Sequence, residues 1–358
     1  MDKYGIEFIE IAEKKEKPQS DKMAFGKHFT DHMFVMEYEK DKGWHSPKIV
    51  PNEPILIDPA AMVFHYGQAV FEGLKAYRTE DNRILLFRPE KNFNRLNVSD
   101  ERMCIPYIDV DLAVHALKEL VKVDSEWVPD APNTSLYIRP FVIATEAALG
   151  VHPSHNFKFM IIMSPVGPYY AVKGLEPVQI FVEDEYVRAV RGGIGFTKSS
   201  ANYAISLKGQ QKAIERGFAQ VLWLDGIERK YIEEVGTMNV FFKINGELVT
   251  PELSGSILPG VTRDSVIALA KGWGMTVTER KISIDELFEA HEKGILEEAF
   301  GSGTAAVISP VGKFVMGDKE IIINNGKTGE FSQKVYDTLT GIQYGRIKDE
   351  FGWTVEVK

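Results

Sequence analysis

A glycine-rich segment with one lysine is the first feature of this sequence that could do chemistry. It runs Arg191-Gly-Gly-Ile-Gly-Phe-Thr-Lys-Ser199. A nucleotide phosphate loop needs glycine directly before its lysine because the backbone there wraps the phosphate, whereas Thr197 holds that place here. The Gly-x-Gly-x-x-Gly dinucleotide pattern is absent from the segment as well. Alone, the segment predicts a flexible surface loop with a solvated lysine, so Lys198 needs support from other motifs.

The histidines and the cysteine do not predict a metal centre. His28 and His32 are close in sequence, as are His152 and His155, but neither a His-Glu-x-x-His motif nor a carboxylate cluster accompanies them. Structural histidines are the simpler interpretation. One cysteine, Cys104, excludes an intrachain disulfide and a thiolate-rich metal or iron–sulfur site. The sequence therefore predicts no metal.

Seven short motifs occur in a fixed order along the chain. They are FGKHFTDH at 25–32, FEGLKA at 71–76, LYIRP at 136–140, GGIGFTKSSANY at 192–203, EVGTMN at 234–239, LPGVTR at 258–263 and FGSGTA at 300–305. Together these motifs resemble the branched-chain amino acid aminotransferases, which are pyridoxal-phosphate enzymes of fold type IV. The resemblance covers nearly the whole chain, and it implies a two-domain fold with the active site in an interdomain cleft.

The resemblance implies that the cofactor is pyridoxal 5′-phosphate, which stabilises negative charge at the Cα of an amino acid. Lys198 matches the family lysine that holds the cofactor and moves the proton. Glu234 matches the acid that keeps the ring nitrogen protonated, and Tyr203 matches the donor to the phenolic oxygen. Without the other motifs, Glu234 would be interpreted as a solvated turn carboxylate and Tyr203 as a core residue.

A phosphate group needs backbone donors and positive charge. Pro259-Gly260 leads into an amphipathic run, so the amides of Val261 and Thr262 are expected at a helix N-terminus, where free donors and the helix dipole favour an anion. Ordinary capping of the helix by Thr262 is compatible with this role. By resemblance, the hydroxyl of Thr304 and the charge of Arg95 add to the site.

The resemblance also implies which residues select the substrate. Large aromatic walls suit leucine, isoleucine and valine because they exclude water. The expected pocket residues are Phe29, Tyr66, Tyr137 and Tyr169. Arg139 matches the residue that binds the side-chain carboxylate of glutamate, and the expected site for the α-carboxylate consists of Thr237 and the backbone of Thr304 and Ala305. In family dimers, a loop that matches Leu149–Val151 reaches the site of the neighbouring subunit, so we expect a homodimer.

The implied activity is the reversible transfer of the amino group of L-leucine, L-isoleucine or L-valine to 2-oxoglutarate. The alternatives within the same fold are a D-amino acid aminotransferase and an aminodeoxychorismate lyase. Tyr-x-Arg at 137–139 and Thr-x-Met at 237–239 favour the branched-chain type. A binding protein that keeps the fold without catalysis predicts loss of Lys198, Tyr203 or Glu234, and all three are present.

The pattern of elements predicts a mixed α+β protein. Val240–Ile244 and Leu248–Val249 are joined by Asn245-Gly246, a strong hairpin signal. Strands are predicted at 84–87, 135–139, 158–163 and 220–224. Helices are predicted from Pro89, after an Asp109 N-cap, at 262–272, at 283–293 and at 329–350. Because prolines and glycines are dense at 165–177, we expect a small α/β domain at 1–170, a linker at 171–185 and a large cofactor-binding domain at 186–358.

Length and composition agree with this interpretation. The 358 residues favour about two domains. The net charge of −9 argues against nucleic-acid or anionic-membrane binding, because such proteins usually carry a basic surplus. We find neither a signal peptide nor an apolar run long enough to span a membrane. With one cysteine, a reducing compartment is expected, so the sequence predicts a cytoplasmic enzyme acting on small amino acids and 2-oxo acids.

Overall fold

The structure is a computed structural model that describes residues 3–167 and 175–358. Within these ranges the chain forms seven α-helices and eighteen β-strands. The helices are α1 (Met62–Tyr66), α2 (Pro89–Arg102), α3 (Val110–Val123), α4 (Ser200–Glu215), α5 (Val261–Gly272), α6 (Ile284–Glu292) and α7 (Glu330–Gln343). Short 3₁₀ turns lie at Ser20–Lys22, Ser125–Trp127 and Asn324–Gly326. None of the helices in the described ranges has the length and hydropathy to span a membrane.

The strands are divided between two sheets. The strands of the first sheet are β1 (Glu7–Phe8), β2 (His32–Glu39), β3 (Gly43–Pro51), β4 (Ala69–Phe71), β5 (Leu74–Arg78), β6 (Ile84–Phe87), β7 (Ser135–Ala144), β8 (Asn156–Val166) and β18 (Thr354–Val357). Those of the second are β9 (Val178–Glu183), β10 (Gln220–Leu224), β11 (Ile232–Val235), β12 (Met238–Ile244), β13 (Glu247–Thr250), β14 (Val277–Glu279), β15 (Leu296–Gly303), β16 (Val307–Met316) and β17 (Lys319–Ile322).

The described residues of the first compact unit are 3–167, 197–201 and 341–358. Its sheet has the order β1-β3-β2-β8-β7-β5-β6-β18, with β4 paired to β7. Residues of α2 and α3, among them Phe93 and Leu117, share one core with sheet residues such as Phe34. Side chains of β7 alternate, so Leu136 and Ile138 enter the core while Tyr137 and Arg139 share the opposite face.

The second unit contains residues 175–196 and 202–340 of the described chain. Its strands follow the order β11-β10-β9-β16-β15-β12-β13-β14, and β17 pairs with β16. An additional pairing of β11 with β12 closes six strands, β9 to β12 with β15 and β16, into a ring. Parallel pairs (β9 with β10 and β16) and antiparallel pairs occur in the same ring, which confirms the predicted mixed α+β class.

Several local predictions are confirmed. Asp109 caps α3 by accepting from the Leu112 amide at 2.9 Å, and Ser283 caps α6 by accepting from Glu286 at 3.0 Å. Asn245 and Gly246 both have positive φ, as the turn between β12 and β13 requires. The predicted strands at 84–87, 135–139, 158–163 and 220–224 all lie in observed strands.

Three predictions of element bounds need correction. The linker expected at 171–185 overlaps β9, because Ile180 and Val182 are buried in the core of the second unit. The last helix was expected to reach Glu350 but ends at Gln343, because Gly345 adopts a φ of 70° and the Arg346 amide turns back to Gly341. The expected domain bounds also differ from the compact units, since 197–201 and 341–358 belong to the first unit.

Candidate active site

Lys198 is held by its backbone in the first unit. Its amide donates to the Ser99 hydroxyl at 2.9 Å, and its carbonyl accepts from the Phe71 amide at 2.9 Å. The next residue, Ser199, forms a β-bridge with Val70. The lysine is half-buried, and its Nζ lies 4.9 Å from the centre of the Phe71 ring. The glycine-rich segment is therefore anchored at its lysine, whereas a flexible surface loop was the expectation from the segment alone.

A buried ion pair lies beside this lysine. Arg95 on α2 binds Glu72 through Nε and Nη2, each 2.8 Å from a carboxylate oxygen, and Asn92 donates to the same carboxylate at 2.8 Å. Burial alone raises the pKa of Glu72, but the charge and hydrogen bonds of Arg95, with the charge of Lys198, lower it below its ordinary value. Glu72 is thus a carboxylate that compensates two neighbouring cations.

Asp100 lies one position after Ser99 on α2 and is fully buried. Neither of its carboxylate oxygens has a hydrogen-bond partner. Burial, and then the charge of Glu72, raises the pKa of Asp100 well above its ordinary value. Asp100 is consequently a buried acid whose neutral form is favoured next to the ionised Glu72.

Tyr137 and Arg139 meet around the same aromatic ring as Lys198. The Nη2 of Arg139 donates to the Tyr137 hydroxyl at 3.0 Å, and its guanidinium lies 4.7 Å from the centre of the Phe71 ring. The Nε of Arg139 is buried without a hydrogen-bond partner. Such a guanidinium retains capacity for a carboxylate. Phe71 is therefore the point at which Lys198, Tyr137 and Arg139 come together.

Glu234 is buried in the second unit, on β11, and is not a solvated turn residue. Its Oε1 accepts from the Leu258 amide at 2.7 Å and lies 3.3 Å from Nη2 of Arg188. Arg188 is also buried, and it donates to the carbonyls of Ser256 and, at 3.4 Å, Gly195. The negative charge of Glu234 is thus compensated by a fixed cation.

The adjacent Glu233 is in a different electrostatic state. It accepts a hydrogen bond from Ser256 through Oε1, whereas its buried Oε2 has no partner. Burial raises the pKa of Glu233 to about 7, although Ser256 and Arg188 act in the opposite direction. Glu233 is therefore an acid that titrates near neutral pH beside a paired carboxylate.

The N-terminus of α5 packs against Glu234. Gly260 is the N-cap residue, and no side chain caps the helix there, so the expected capping by Thr262 is wrong. Asn239 donates to the Leu258 carbonyl at 2.8 Å, and a Cβ on Gly260 would lie 2.0 Å from its Oδ1. Only glycine fits so close an approach. Val261 and Thr262 begin the helix, where amide donors and the helix dipole favour an anion.

Two turns lie at the same end of the sheet as this helix N-terminus. Thr237 is exposed in the turn between β11 and β12, and Thr304 and Ala305 lie half-buried in the turn between β15 and β16. Because β12 pairs antiparallel with β15, Asn239 stands opposite Ser302, and the two turns are neighbours. The second unit thereby brings together Glu234, the two turns and the start of α5.

The remaining expected site residues have varied surroundings. Tyr203 is half-buried on α4 in the second unit. Phe29 and Tyr66 are exposed in the first unit, and the Tyr66 hydroxyl donates to the Leu149 carbonyl. Tyr66 therefore touches the loop that was expected to reach a second subunit. Tyr169 lies outside the described residues.

Sequence reasoning missed two residues that hold the site. Glu72 stands inside the FEGLKA motif, but no role was assigned to it, and Arg188 was noted only as part of a segment unlike a buried strand. A charged residue inside a motif that has no other assigned partner was the signal for Glu72. No local pattern could have paired Arg188 with Glu234, because the two are 46 positions apart and meet only through the second sheet.

Comparisons with known proteins extend this description. Residues 69–314 match the family described as amino-transferase class IV. The chain is 62% identical over 357 residues to branched-chain-amino-acid aminotransferase 2 of Bacillus subtilis (strain 168), covering 100% of this chain and 98% of the relative.

Solved structures give the same result at lower identity. The structure of the Escherichia coli branched-chain amino acid aminotransferase matches with a TM-score of 0.77 and 27% identity, covering 92% of this chain and 99% of the other. A branched-chain amino acid aminotransferase from T.th., solved with pyridoxamine 5′-phosphate, matches with a TM-score of 0.76 and 26% identity, covering 91% and 98%.

Proposed function

Because this chain belongs to the class IV aminotransferase family, we propose that it moves the amino group of L-leucine, L-isoleucine or L-valine reversibly to 2-oxoglutarate. The resemblance inferred from the motifs is confirmed, and the chain is an aminotransferase. The observation that carries the proposal is the meeting of Lys198 with Arg139 at the Phe71 ring. An amine and a carboxylate-binding cation on one ring suit an amino donor and a dicarboxylate acceptor.

We infer that the cofactor is pyridoxal 5′-phosphate, which, when bound, supplies the electron sink for charge at the substrate Cα. The residues present fit this group. The start of α5 has no side-chain cap, and Gly260 leaves no room for a Cβ, as expected for a helix N-terminus that receives a phosphate. Glu234 is a buried carboxylate with a fixed cation behind it, which suits a protonated ring nitrogen.

Lys198 is assigned two tasks, holding the cofactor and moving the proton of the substrate Cα at its Nζ. Its backbone hydrogen bonds to Phe71 and Ser99 fix where the side chain starts, so the Nζ is positioned without the mobility of a surface lysine. Such restriction lowers the entropic cost of reaching a reactive geometry.

Glu234 and Tyr203 are assigned to the cofactor ring. Glu234 holds a proton on the ring nitrogen, and the Leu258 amide and Arg188 keep the orientation of its carboxylate. Tyr203 donates its hydroxyl proton to the phenolic oxygen. Arg95, Val261, Thr262 and Thr304 are assigned to the phosphate, with Arg95 oriented by its bidentate contact with Glu72.

Substrate binding is assigned mainly to the first unit. Phe29, Tyr66, Tyr137 and Tyr169 form the apolar wall, and Arg139 binds the side-chain carboxylate of glutamate or 2-oxoglutarate. The Tyr137 hydroxyl supports this role because it holds one nitrogen of Arg139 in place. Thr237, Thr304 and Ala305 are assigned to the α-carboxylate, which agrees with their position in neighbouring turns.

We also propose a cytoplasmic homodimer in which the loop Leu149–Val151 approaches the partner's site. Leu149 and Val151 are 68% and 83% exposed, and an apolar loop tip of this kind favours burial against a protein surface. Light scattering of the purified protein should give twice the mass of one chain. Leu149→Ser should weaken the association.

The substrate assignment is tested with purified protein and added pyridoxal phosphate. L-Leucine, L-isoleucine and L-valine should each yield glutamate from 2-oxoglutarate. D-Alanine and aminodeoxychorismate should be poor substrates. Faster turnover of D-alanine than of all three branched amino acids would overturn the proposal.

The role of Lys198 is tested by Lys198→Ala, with Lys208→Ala on the exposed face of α4 as a matched control. Lys198→Ala should lose the visible absorbance band of the attached cofactor and at least about 10³-fold in kcat, as for loss of a covalent catalyst. Lys208→Ala should keep both. An unchanged band in Lys198→Ala would exclude this lysine as the attachment point.

A further inference from the structure

Two histidines and a glutamate meet in the connection between β7 and β8. The Nε2 of His152 lies 3.2 Å from Oε1 of Glu146, and the Nδ1 of His155 lies 3.5 Å from Oε2 of the same carboxylate. One donor atom from each residue lies within 4.8 Å of the other two. Among the described residues, this is the one group of three histidine, cysteine or acidic side chains with such spacing. The sequence did not reveal it, because Glu146 comes six positions before His152.

The donor atoms suit a borderline divalent transition ion. Nitrogen and oxygen ligands of Zn²⁺ lie at about 2.0–2.2 Å, so neighbouring ligands of a tetrahedral site are separated by roughly 3.3 Å. The two contacts of Glu146 are within a few tenths of an ångström of that separation. Two neutral imidazoles and one carboxylate leave a fourth position for water. Mg²⁺ and Ca²⁺ prefer oxygen ligands and are disfavoured by this set.

The backbone around the three side chains is fixed on both sides. The Glu146 carbonyl accepts from the Met62 amide at 2.9 Å, and the Ala148 amide donates to the Ala60 carbonyl at 3.1 Å. On the other side, the Ser154 amide donates to Gln68 at 3.2 Å. The His155 amide donates to Glu146 itself at 2.6 Å, which orients the carboxylate. A metal would therefore meet ligands that are already positioned, and little ordering would oppose its binding.

We propose that Glu146, His152 and His155 form a binding site for a divalent transition ion, with Zn²⁺ as the representative ion. The site is distinct from the residues assigned to the cofactor and the substrate. Leu149–Val151 lies between the ligands in sequence, so the bound ion clamps this loop at both ends. The site thereby makes the position of the loop sensitive to the metal.

Titration of the untagged holoenzyme with Co²⁺ tests the proposal, because a four- or five-coordinate Co²⁺ site has a visible absorption that aqueous Co²⁺ lacks. We expect one ion per chain, displaced by Zn²⁺ and not by Mg²⁺. His152→Asn and His155→Asn should each weaken binding at least about tenfold, since even loss of a residue that only supports a ligand costs 10–100-fold. Circular dichroism shows that each variant remains folded.

His45→Asn is the matched control. His45 also lies close to a glutamate, Glu39, at 3.3 Å, but it does not belong to a group of three donors among the described residues. Its substitution should leave Co²⁺ binding unchanged. Equal affinity in wild type and in the double variant His152→Asn/His155→Asn would overturn the proposal.

Hydrogen exchange provides a second measurement that does not depend on cobalt. Zn²⁺ should slow amide exchange at 149–153 in the wild type and not in the double variant. Exchange at 149–153 that is the same with and without Zn²⁺ in the wild type would also overturn the proposal.

Discussion

Each of the two units buries a glutamate beside an arginine, yet they hold it differently. In the first unit, Arg95 contacts both oxygens of Glu72 at 2.8 Å. In the second, Arg188 and the Leu258 amide both reach Oε1 of Glu234. Each glutamate also has a buried acidic neighbour with a raised pKa, Asp100 in the first unit and Glu233 in the second.

The difference teaches which carboxylate supports the fold and which can serve a ligand. A bidentate pair, closed further by Asn92, satisfies both oxygens within the protein, so Glu72 orients a cation. Contacts from within the protein that meet on one oxygen orient a carboxylate without enclosing it in the same way. The acidic neighbours show the cost of this arrangement, because a second negative charge in the same low-dielectric surroundings is disfavoured.

The largest effect on stability is expected for Glu72→Ala. It leaves Arg95 buried without its carboxylate, which should lower the free energy of unfolding by about 3–5 kcal/mol. Urea unfolding followed by tryptophan fluorescence measures the loss. Glu72→Met with Arg95→Met should recover most of it, because the unpaired charge is gone. A double variant as unstable as the single one would show that the pair itself supplies the stability.

Glu234→Gln should affect activity more than stability. The amide keeps the size of the side chain but removes the negative charge, and the expected loss in kcat is on the order of 100-fold. The thermal midpoint should fall less than in Glu72→Ala. Steady-state kinetics with L-leucine and 2-oxoglutarate measure the effect. A kcat within a factor of two of the wild type would remove Glu234 from the proposed mechanism.

Glu233→Gln sharpens the comparison through its pH dependence. The folded pKa of Glu233 is about 7 and its ordinary value is 4.5, so the folded state retains a proton that the unfolded chain releases in this range. The resulting stabilisation is complete below pH 4.5 and is lost as the pH rises through 7. The variant lacks this loss and should be about 2 kcal/mol more stable than wild type at pH 8.

Unfolding experiments at pH 4.5 and pH 8 provide the control for Glu233→Gln. The advantage of the variant should be present at pH 8 and absent at pH 4.5. An advantage of the same size at both values would show that titration of Glu233 is not the cause.

Asp100→Asn should have a smaller effect in the same direction. Because the pKa of Asp100 is raised in the folded state, its contribution to stability is present below its ordinary pKa of 3.8 and is lost as the pH rises. The amide cannot ionise but is also buried without partners, so the expected gain at pH 8 is only about 1 kcal/mol. Urea unfolding at pH 8 measures it, and lower stability than wild type would contradict the electrostatic argument.

The smallest effect is expected at a surface pair. Glu289 and Lys293 are 3.2 Å apart on an exposed face, so Glu289→Gln should change stability by about 0.5 kcal/mol or less. The same urea experiment measures it. A loss comparable to that of Glu72→Ala would show that burial does not distinguish these pairs.

Much of the local structure could be predicted from the sequence because its signals are local. The Asp109 and Ser283 caps and the Asn245-Gly246 turn each depend on a few adjacent residues. The end of α7 was misplaced because amphipathic spacing continues beyond Gln343, whereas the backbone at Gly345 turns. The linker was placed too far along because the dense prolines and glycines obscured the buried strand that follows them.

Predictions about the site depended on a family resemblance, since ion pairs between distant residues leave no local pattern. The pairing of Arg95 with Glu72 and of Arg188 with Glu234 follows from topology. The Glu146, His152 and His155 cluster escaped notice for a similar reason, because a chain reversal brings the glutamate back to the histidines. The roles assigned to individual residues in catalysis stay predictions until the variants are measured.

The pairing of β18 with β6 has a consequence for synthesis of the protein. Residues 84–87 (Ile-Leu-Leu-Phe) are made early, but their partner strand at 354–357 is made near the end. At about 5–20 residues per second, the intervening chain takes tens of seconds to emerge from a ribosome. During that time an apolar strand edge in the nascent first unit is uncovered, which is an opportunity for aggregation. This interval is when a chaperone would be most useful to the chain.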